Sequence, residues 1–160
     1  MSQRASLITG IFILVIATAY FWWRGQAKQQ INRRLDLFIE TVAFEKLSLR
    51  THETRAKAGK ELFGPEVELA APSPAPSGTF SEQQMIDQLK RFHGYITFFE
   101  ITETDREISI DGDYATANIS GNMAVAAGPN WREDITASLI FQFQNNEEGW
   151  EISGLFVEGQ

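Results

Sequence analysis

The chain has 160 residues, of which 43% are hydrophobic and 22% charged, as in globular rather than disordered proteins. It contains no cysteine, which excludes disulfides, cysteine-bound metals and thiol catalysis. The net charge of −7 is unevenly distributed, because residues 1–60 hold ten Lys and Arg against four Asp and Glu, whereas residues 61–160 hold four against seventeen. The acidic second part argues against nucleic acid as a partner, since phosphate repels carboxylates.

An uncharged apolar run extends from Ala5 to Trp23. As a helix it would be about 28 Å long, close to the hydrocarbon thickness of a bilayer. Residues that prefer the membrane interface stand at its end; they are Tyr20, Trp22, Trp23 and Arg24. Residues 1–24 are therefore predicted to be an N-terminal tail and a single-pass transmembrane helix, with membrane lipid as a partner.

A cleaved signal peptide is the alternative interpretation of the same residues. Leu7 to Ile16 would form its apolar core and Ala17-Thr18-Ala19 its cleavage site. The apolar run continues beyond that site, which favours an uncleaved signal-anchor. The basic flank after the run favours a cytoplasmic domain, whereas the very short N-terminal tail favours export. We expect the soluble domain on the extracytoplasmic, periplasmic side.

Residues 25–63 form a basic segment with a helical pattern. Its apolar residues recur at spacings of four, three and four, which predicts one helix face turned to a core; they are Ile31, Leu35, Phe38 and Val42. Residues 64–79 are rich in Pro, Ser and Ala and are predicted to be a loop, because proline cannot continue a helix or a central strand.

Residues 80–160 begin with a capping box, in which Ser81 and Gln84 satisfy each other's backbone N–H groups. A helix with an apolar face follows and ends near Gly94. The remainder predicts strands separated by turn residues, over residues 95–104, 107–110, 114–126, 135–143 and 150–157. Helices followed by such a meander predict an α+β fold, in which residues 25–160 form one domain of helices packed on a curved antiparallel sheet.

Three stretches of the second half resemble the nuclear transport factor two-like superfamily, which includes the SnoaL-like and ketosteroid isomerase-like families. They are SEQQMIDQLKRFHGYI, ISIDGDYATANISG, and the pair ITASLIFQFQ and NNEEGWEISGLFV. The resemblance implies a cystatin-like cone, with a pocket at its wide end that members use as an isomerase or dehydratase site, a ligand site or a protein-docking surface. Membrane-anchored members occur in bacterial envelope and secretion assemblies. One departure is the family's early strand, for which Glu66–Leu69 is a very short candidate.

Candidate catalytic residues are few. Glu100 shares a predicted strand face with Ile96 and Phe98, where apolar neighbours would raise the pKa of a carboxyl group and make it a base. A solvent-facing or arginine-paired Glu100 is the alternative. His93 stands at a predicted helix end, where capping or solvent contact competes with catalysis. The tyrosine and the base that the resemblance implies have no counterpart here, and no metal or cofactor is expected.

Four aromatic residues are candidates for the lining of a small apolar ligand pocket, with core packing as the alternative; they are Phe98, Phe99, Phe141 and Trp150. The function expected from all these features is a membrane-tethered, non-catalytic domain that docks a partner protein or dimerises, in an envelope assembly. The alternatives are a small apolar ligand-binding domain and an isomerase- or hydrolase-like enzyme with its pocket in the cone.

Overall fold

A computed structural model describes residues 2–45, 59–72 and 75–159, and the side chains of residues 14–43, 59–72 and 75–159. Two helices and seven strands lie in these ranges, and we number them in chain order. The helices are α1 (Ser2–Val42) and α2 (Glu82–Tyr95). The strands are β1 (Phe44–Glu45), β2 (Phe63–Ala70), β3 (Gly78–Ser81), β4 (Phe98–Asp111), β5 (Tyr114–Ala126), β6 (Arg132–Asn146) and β7 (Gly149–Gly159). The predicted α+β class is confirmed.

The described strands form one sheet in the order β1-β4-β5-β6-β7-β2-β3. The long strands β4 to β7 are an antiparallel meander, joined by tight turns at Gly112 and at Glu147-Glu148. Gly112 has φ +57°, a conformation that glycine adopts without steric cost. Only β2 runs parallel to its neighbour β7, so the described sheet is mixed rather than purely antiparallel.

The helix α1 lies across the inner face of the sheet. Its buried face contains the predicted stripe Ile31, Leu35, Phe38 and Val42, preceded by Ala27. The ring of Phe38 meets that of Phe141 edge to face, with centroids 4.9 Å apart. Burial of each such large side chain contributes about 1.5–3 kcal/mol before entropy is counted, so this stripe fixes α1 on the sheet.

The predicted capping box begins α2. Ser81 Oγ accepts from Gln84 N at 3.3 Å, and Ser81 N donates to Gln84 Oε1 at 2.8 Å. The helix then packs against β2 and β3 and buries Met85, Ile86 and His93. The apolar face predicted for this helix therefore also carries a histidine.

A β-bulge in β4 changes which residues face the core. Glu103 pairs with Gly121 and Asp105 with Ser120, so Thr104 is an extra residue without a partner position on β5. Before the bulge, odd-numbered residues such as Ile101 face inward. After it, the even-numbered residues Arg106, Ile108 and Ile110 do so. An inserted residue exchanges the two faces of a strand, because side chains alternate with a period of two.

Two features of the sheet differ from the sequence prediction. Residues 63–70 form an eight-residue strand, which contains the short candidate Glu66–Leu69 and extends it into residues predicted to be helix and loop. The two short strands predicted over residues 95–104 and 107–110 are one strand, β4, interrupted only by the bulge. The turn-like polar residues Thr104 and Asp105 mark the bulge rather than a break.

The structure contradicts the predicted membrane localisation. Within the described residues, no helix carries an apolar stretch long enough to cross a bilayer. Residues 5–13 of the predicted anchor lie outside the described side chains. The single-pass topology and the periplasmic placement lose their basis with this finding.

Candidate functional site

The interior between α1 and the sheet is filled by apolar side chains. Several of the most completely buried come from α1, β5, β6 and β7; they are Ile31, Leu35, Ile119, Phe141, Phe143 and Ile152. The rings of Phe141 and Phe143 stack with centroids 6.3 Å apart. Two depressions formed by described residues lie outside this interior.

The four aromatic residues proposed to line a ligand pocket are separated by the fold. Phe141 is fully buried in the core against Phe38. Phe99 faces inward, half-buried, and meets Phe92 of α2 edge to face with centroids 5.2 Å apart. Phe98 lies on the outer face, where the Arg132 guanidinium stands 5.4 Å from its ring centroid. Trp150 is buried at the opposite end of the sheet, beneath the turn between β6 and β7.

The two candidate catalytic residues lie on opposite faces. Glu100 is exposed on the outer face of β4, opposite Ala124. His93 is 4% exposed and faces inward with Met85 and Ile86, so the predicted solvent contact of its imidazole is wrong. The period of α2 explains this placement, because residues seven and eight positions apart share one helix face. The structure does not bring Glu100 and His93 together.

Arg106 is an inward-facing charge that sequence reasoning missed. Its side chain is 18% exposed and reaches three polar partners at the edge of α1 and on its own strand. Glu103 accepts two bonds from it, at 2.8 Å and 2.6 Å, while Asp36 Oδ1 lies 2.8 Å and Asn32 Oδ1 3.0 Å from Nη1. We call these four residues the Arg106 cluster.

The pKa of Arg106 is raised above its ordinary value. The hydrogen bond to Glu103 is the main cause, burial opposes it, and the bond to Asp36 adds to the rise. The guanidinium therefore stays charged and joins β4 to α1. A mid-strand Gly121 opposite a Thr-Glu-Thr-Asp stretch was the available sequence signal, because glycine within a strand often marks a bulge.

An open groove separates α1 from the turn between β6 and β7. Its volume is about 560 Å³. Gln30, Arg33 and Arg34 form the helix wall, Trp150 lies beneath, and the turn supplies Asn145, Asn146, Glu147, Glu148 and Gly149. We call it the α1–turn groove. A Cβ atom built at Gly149 would lie 3.7 Å from Gln30 Oε1, so the two walls approach each other closely at that point.

The part of α1 that precedes the domain exposes large apolar side chains. Among the side chains that the structure describes on α1, Ala27 is the first that is buried, and those from Leu14 to Gln26 are exposed. The exposed set contains three of the predicted interface residues; it is Leu14, Val15, Ile16, Tyr20, Phe21, Trp22 and Trp23. We call residues 14–23 the α1 projection. A depression of about 360 Å³ on its surface is lined by Leu14, Val15, Thr18, Ala19 and Trp22.

Comparison with known proteins identifies the fold. No protein-family profile matches the chain, and no curated protein matches it in sequence. Solved structures of the nuclear transport factor 2-like superfamily are similar to it. One from Streptomyces avermitilis, proposed to be a dehydratase, has a TM-score of 0.65 at 15% identity, over 82% of this chain and 94% of that one.

Two further structures agree with this fold. A superfamily protein from Salmonella enterica has a TM-score of 0.65 at 14% identity, covering 85% of this chain and 92% of its own. A hexachlorocyclohexane dehydrochlorinase from Novosphingobium barchaimii has a TM-score of 0.69 at 11% identity, covering 86% and 88%. The cone-shaped fold that the sequence predicted is thereby confirmed, whereas its function does not follow from similarity at this level.

Proposed function

We propose that the chain is a non-catalytic binding domain that docks a partner protein through the α1 projection. One observation carries the proposal: the interior formed by the described residues is packed, while large apolar side chains stand exposed on the helix outside it. Exposed apolar patches on a polar domain are typical of interaction sites, and Trp and Tyr are enriched among the residues that dominate binding energy.

The depression on the α1 projection has the form of a docking face. Its residues recur at helical spacing, with the small Thr18 and Ala19 between the larger Leu14 and Trp22. Trp22 is 67% exposed and would lose most of that surface in a complex. The Thr18 hydroxyl already donates to Leu14 O at 2.7 Å, so burial beneath a partner would not leave it unsatisfied. The occupant is therefore expected to present a complementary apolar surface.

The proposal is tested by site-specific photo-crosslinking at position 19, which lines the same depression, in the full chain at native abundance. A defined crosslinked partner is expected, and the variant Leu14→Ser/Trp22→Ser should abolish it. Tyr114→Ser is the matched control, because Tyr114 is an equally exposed aromatic residue elsewhere in the domain. Light scattering on the purified chain distinguishes a second copy from a different protein. A monomer without any crosslink, or a crosslink that persists in the double variant, would overturn the proposal.

A second candidate function, binding or turnover of a small molecule in the cone, is favoured by His93. An imidazole that is 4% exposed among apolar residues is placed for general base chemistry, provided that a ligand can reach it. Similar structures include a named dehydrochlorinase. Imidazole resonances of His93 should then shift on addition of a fragment library, and these shifts should be absent in Met85→Trp, which would fill the inner side of α2. Fragments that leave His93 unmoved would eliminate this function.

A further inference from the structure

We propose that the α1–turn groove binds a small zwitterion of the amino-acid or short-peptide type. The site is distinct from the α1 projection and from the interior of the cone. Its helix wall carries two guanidinium groups, Arg33 and Arg34, and its turn wall carries two carboxylates, Glu147 and Glu148. A molecule with separate anionic and cationic ends would meet an opposite charge at each wall.

The charges of the two walls do not neutralise each other. Within the described residues, neither guanidinium forms an ion pair, and the same holds for the carboxylates of Glu147 and Glu148. No ion pair therefore joins the described residues of the two walls, and the charges of both remain available to a ligand. Arg34 is half-buried, which weakens its screening by water and salt relative to a fully exposed charge.

The backbone of both walls is held in place before any ligand arrives. In the turn, Glu148 N donates to Asn146 Oδ1 at 2.8 Å, and Asn146 Nδ2 donates to Glu151 Oε2 at 2.6 Å. Asn145 N donates to Asp113 O at 2.8 Å and ties the turn to the neighbouring hairpin. The helix wall is fixed by the buried stripe on its adjacent face. A pre-ordered site loses little conformational entropy on binding, so modest contacts are enough for measurable affinity.

The pairing of charges selects the ligand class. A simple anion would be attracted by Arg33 and Arg34 but repelled by the two carboxylates. A simple cation would be attracted by the carboxylates but repelled by the two guanidinium groups. A zwitterion avoids both penalties. The volume of about 560 Å³ lies in the range of small-molecule sites, and the groove is open to solvent at its side.

The inference is tested by NMR titration of the full chain with glycine, 4-aminobutanoate and 6-aminohexanoate, read at the amides of Gln30 and Gly149. Saturable shifts with an optimum in chain length are expected. Butanoate and butylammonium, which carry one charge each, should bind at least about fivefold more weakly than the best zwitterion. Absence of saturation by every zwitterion up to about 50 mM, or equal binding of the single ions, would overturn the inference.

Variants then test whether the charged residues of each wall contribute to binding. Arg33→Gln/Arg34→Gln and Glu147→Gln/Glu148→Gln should each weaken the best zwitterion about fivefold or more, whereas Lys28→Gln should not change it. Lys28 is an exposed cation on the same helix that does not line the groove. An equal effect of Lys28→Gln would show that net charge, and not the groove, controls binding. Leu14→Ser/Trp22→Ser should leave the titration unchanged, so failure of the docking function and failure of the groove are separable.

Discussion

Replacement of Arg106 by methionine should destabilise the domain, because it removes a charge that joins the inner face of β4 to α1. The change keeps a long, flexible side chain, so the loss of packing is small. It leaves Glu103, whose side chain is 28% exposed, without its bidentate partner. It also frees Asn32 and Asp36 on α1, which would then turn to solvent.

The size of this loss of stability follows from how exposed each partner of Arg106 is. Asp36 is 66% exposed, so its pair with Arg106 contributes no more than about 1 kcal/mol. The bond to Glu103 is shorter and more shielded, and leaving a partly buried carboxylate unpaired costs about 1.5–3 kcal/mol. Since the terms are not additive, we expect Arg106→Met to lower the free energy of unfolding by about 2 kcal/mol in total.

Urea unfolding of the full chain measures this loss, with the slope of the transition as a check that compactness is unchanged. Arg132→Met is the matched control, because Arg132 lies on the outer face, is highly exposed, reaches Asp134 only at 3.6 Å and otherwise lies over the ring of Phe98 on that face; its loss should cost less than about 1 kcal/mol. A cycle with Glu103→Gln isolates the coupling between the two residues. Equal stability of the Arg106 and Arg132 variants would refute the assignment of a joining role to this cluster.

Three further predictions concern the sheet, the cap and the response to pH. Gly121→Ala should cost about 1–3 kcal/mol, because its Cβ would lie 2.5 Å from the backbone oxygen of Thr102 at the bulge; Gly25→Ala, with open space around it, should be neutral or stabilising in the same thermal unfolding assay. Ser81→Ala should cost about 1 kcal/mol by removal of the cap, measured by urea unfolding and largely restored by Ser81→Asp. The pKa of Arg106 is raised in the folded protein, so its contribution to the free energy of unfolding is fully present below the ordinary pKa of arginine. That contribution is lost only as pH rises through the higher pKa of the folded state. The difference in stability between wild type and Arg106→Met should therefore stay constant from about pH 6 to 10, and a decline within that window would contradict it.

Periodicity and turn chemistry predicted most of the fold. The stripe from Ile31 to Val42 and the capping box at Ser81 depend on interactions within a few residues, and the structure contains both. The strand β2 was predicted only as the short candidate Glu66–Leu69, because its full length depends on pairing with β7, some ninety residues later in the chain. Gly64 and Pro65 suggested a loop. In the structure they lie at a register shift, and from Glu68 onward β2 pairs residue by residue with β7.

The functional features were harder to predict for a physical reason. The bulge at Thr104 reverses the alternation of β4, so a count from Phe98 places Arg106 on the wrong face. His93 shares the inner face of α2, yet the sequence favoured its role at the helix end. The α1–turn groove joins residues more than a hundred positions apart, and the charges of its two walls look like ordinary solvated residues until the fold brings them together.

The Arg106 cluster and the α1–turn groove lie on opposite sides of α1, so a rotation of this helix would move both. At 100° per residue, Asn32 and Asp36 flank the buried stripe on one side, while Gln30, Arg33 and Arg34 flank it on the other. The bonds to Arg106 oppose rotation of α1 about its axis, and such a rotation would move both guanidiniums relative to the turn. If the groove binds a zwitterion as proposed, Arg106→Met should weaken that binding severalfold although Arg106 touches no groove residue, and Arg132→Met should not. An unchanged titration in folded Arg106→Met protein would mean that the apolar stripe alone sets the position of the helix wall.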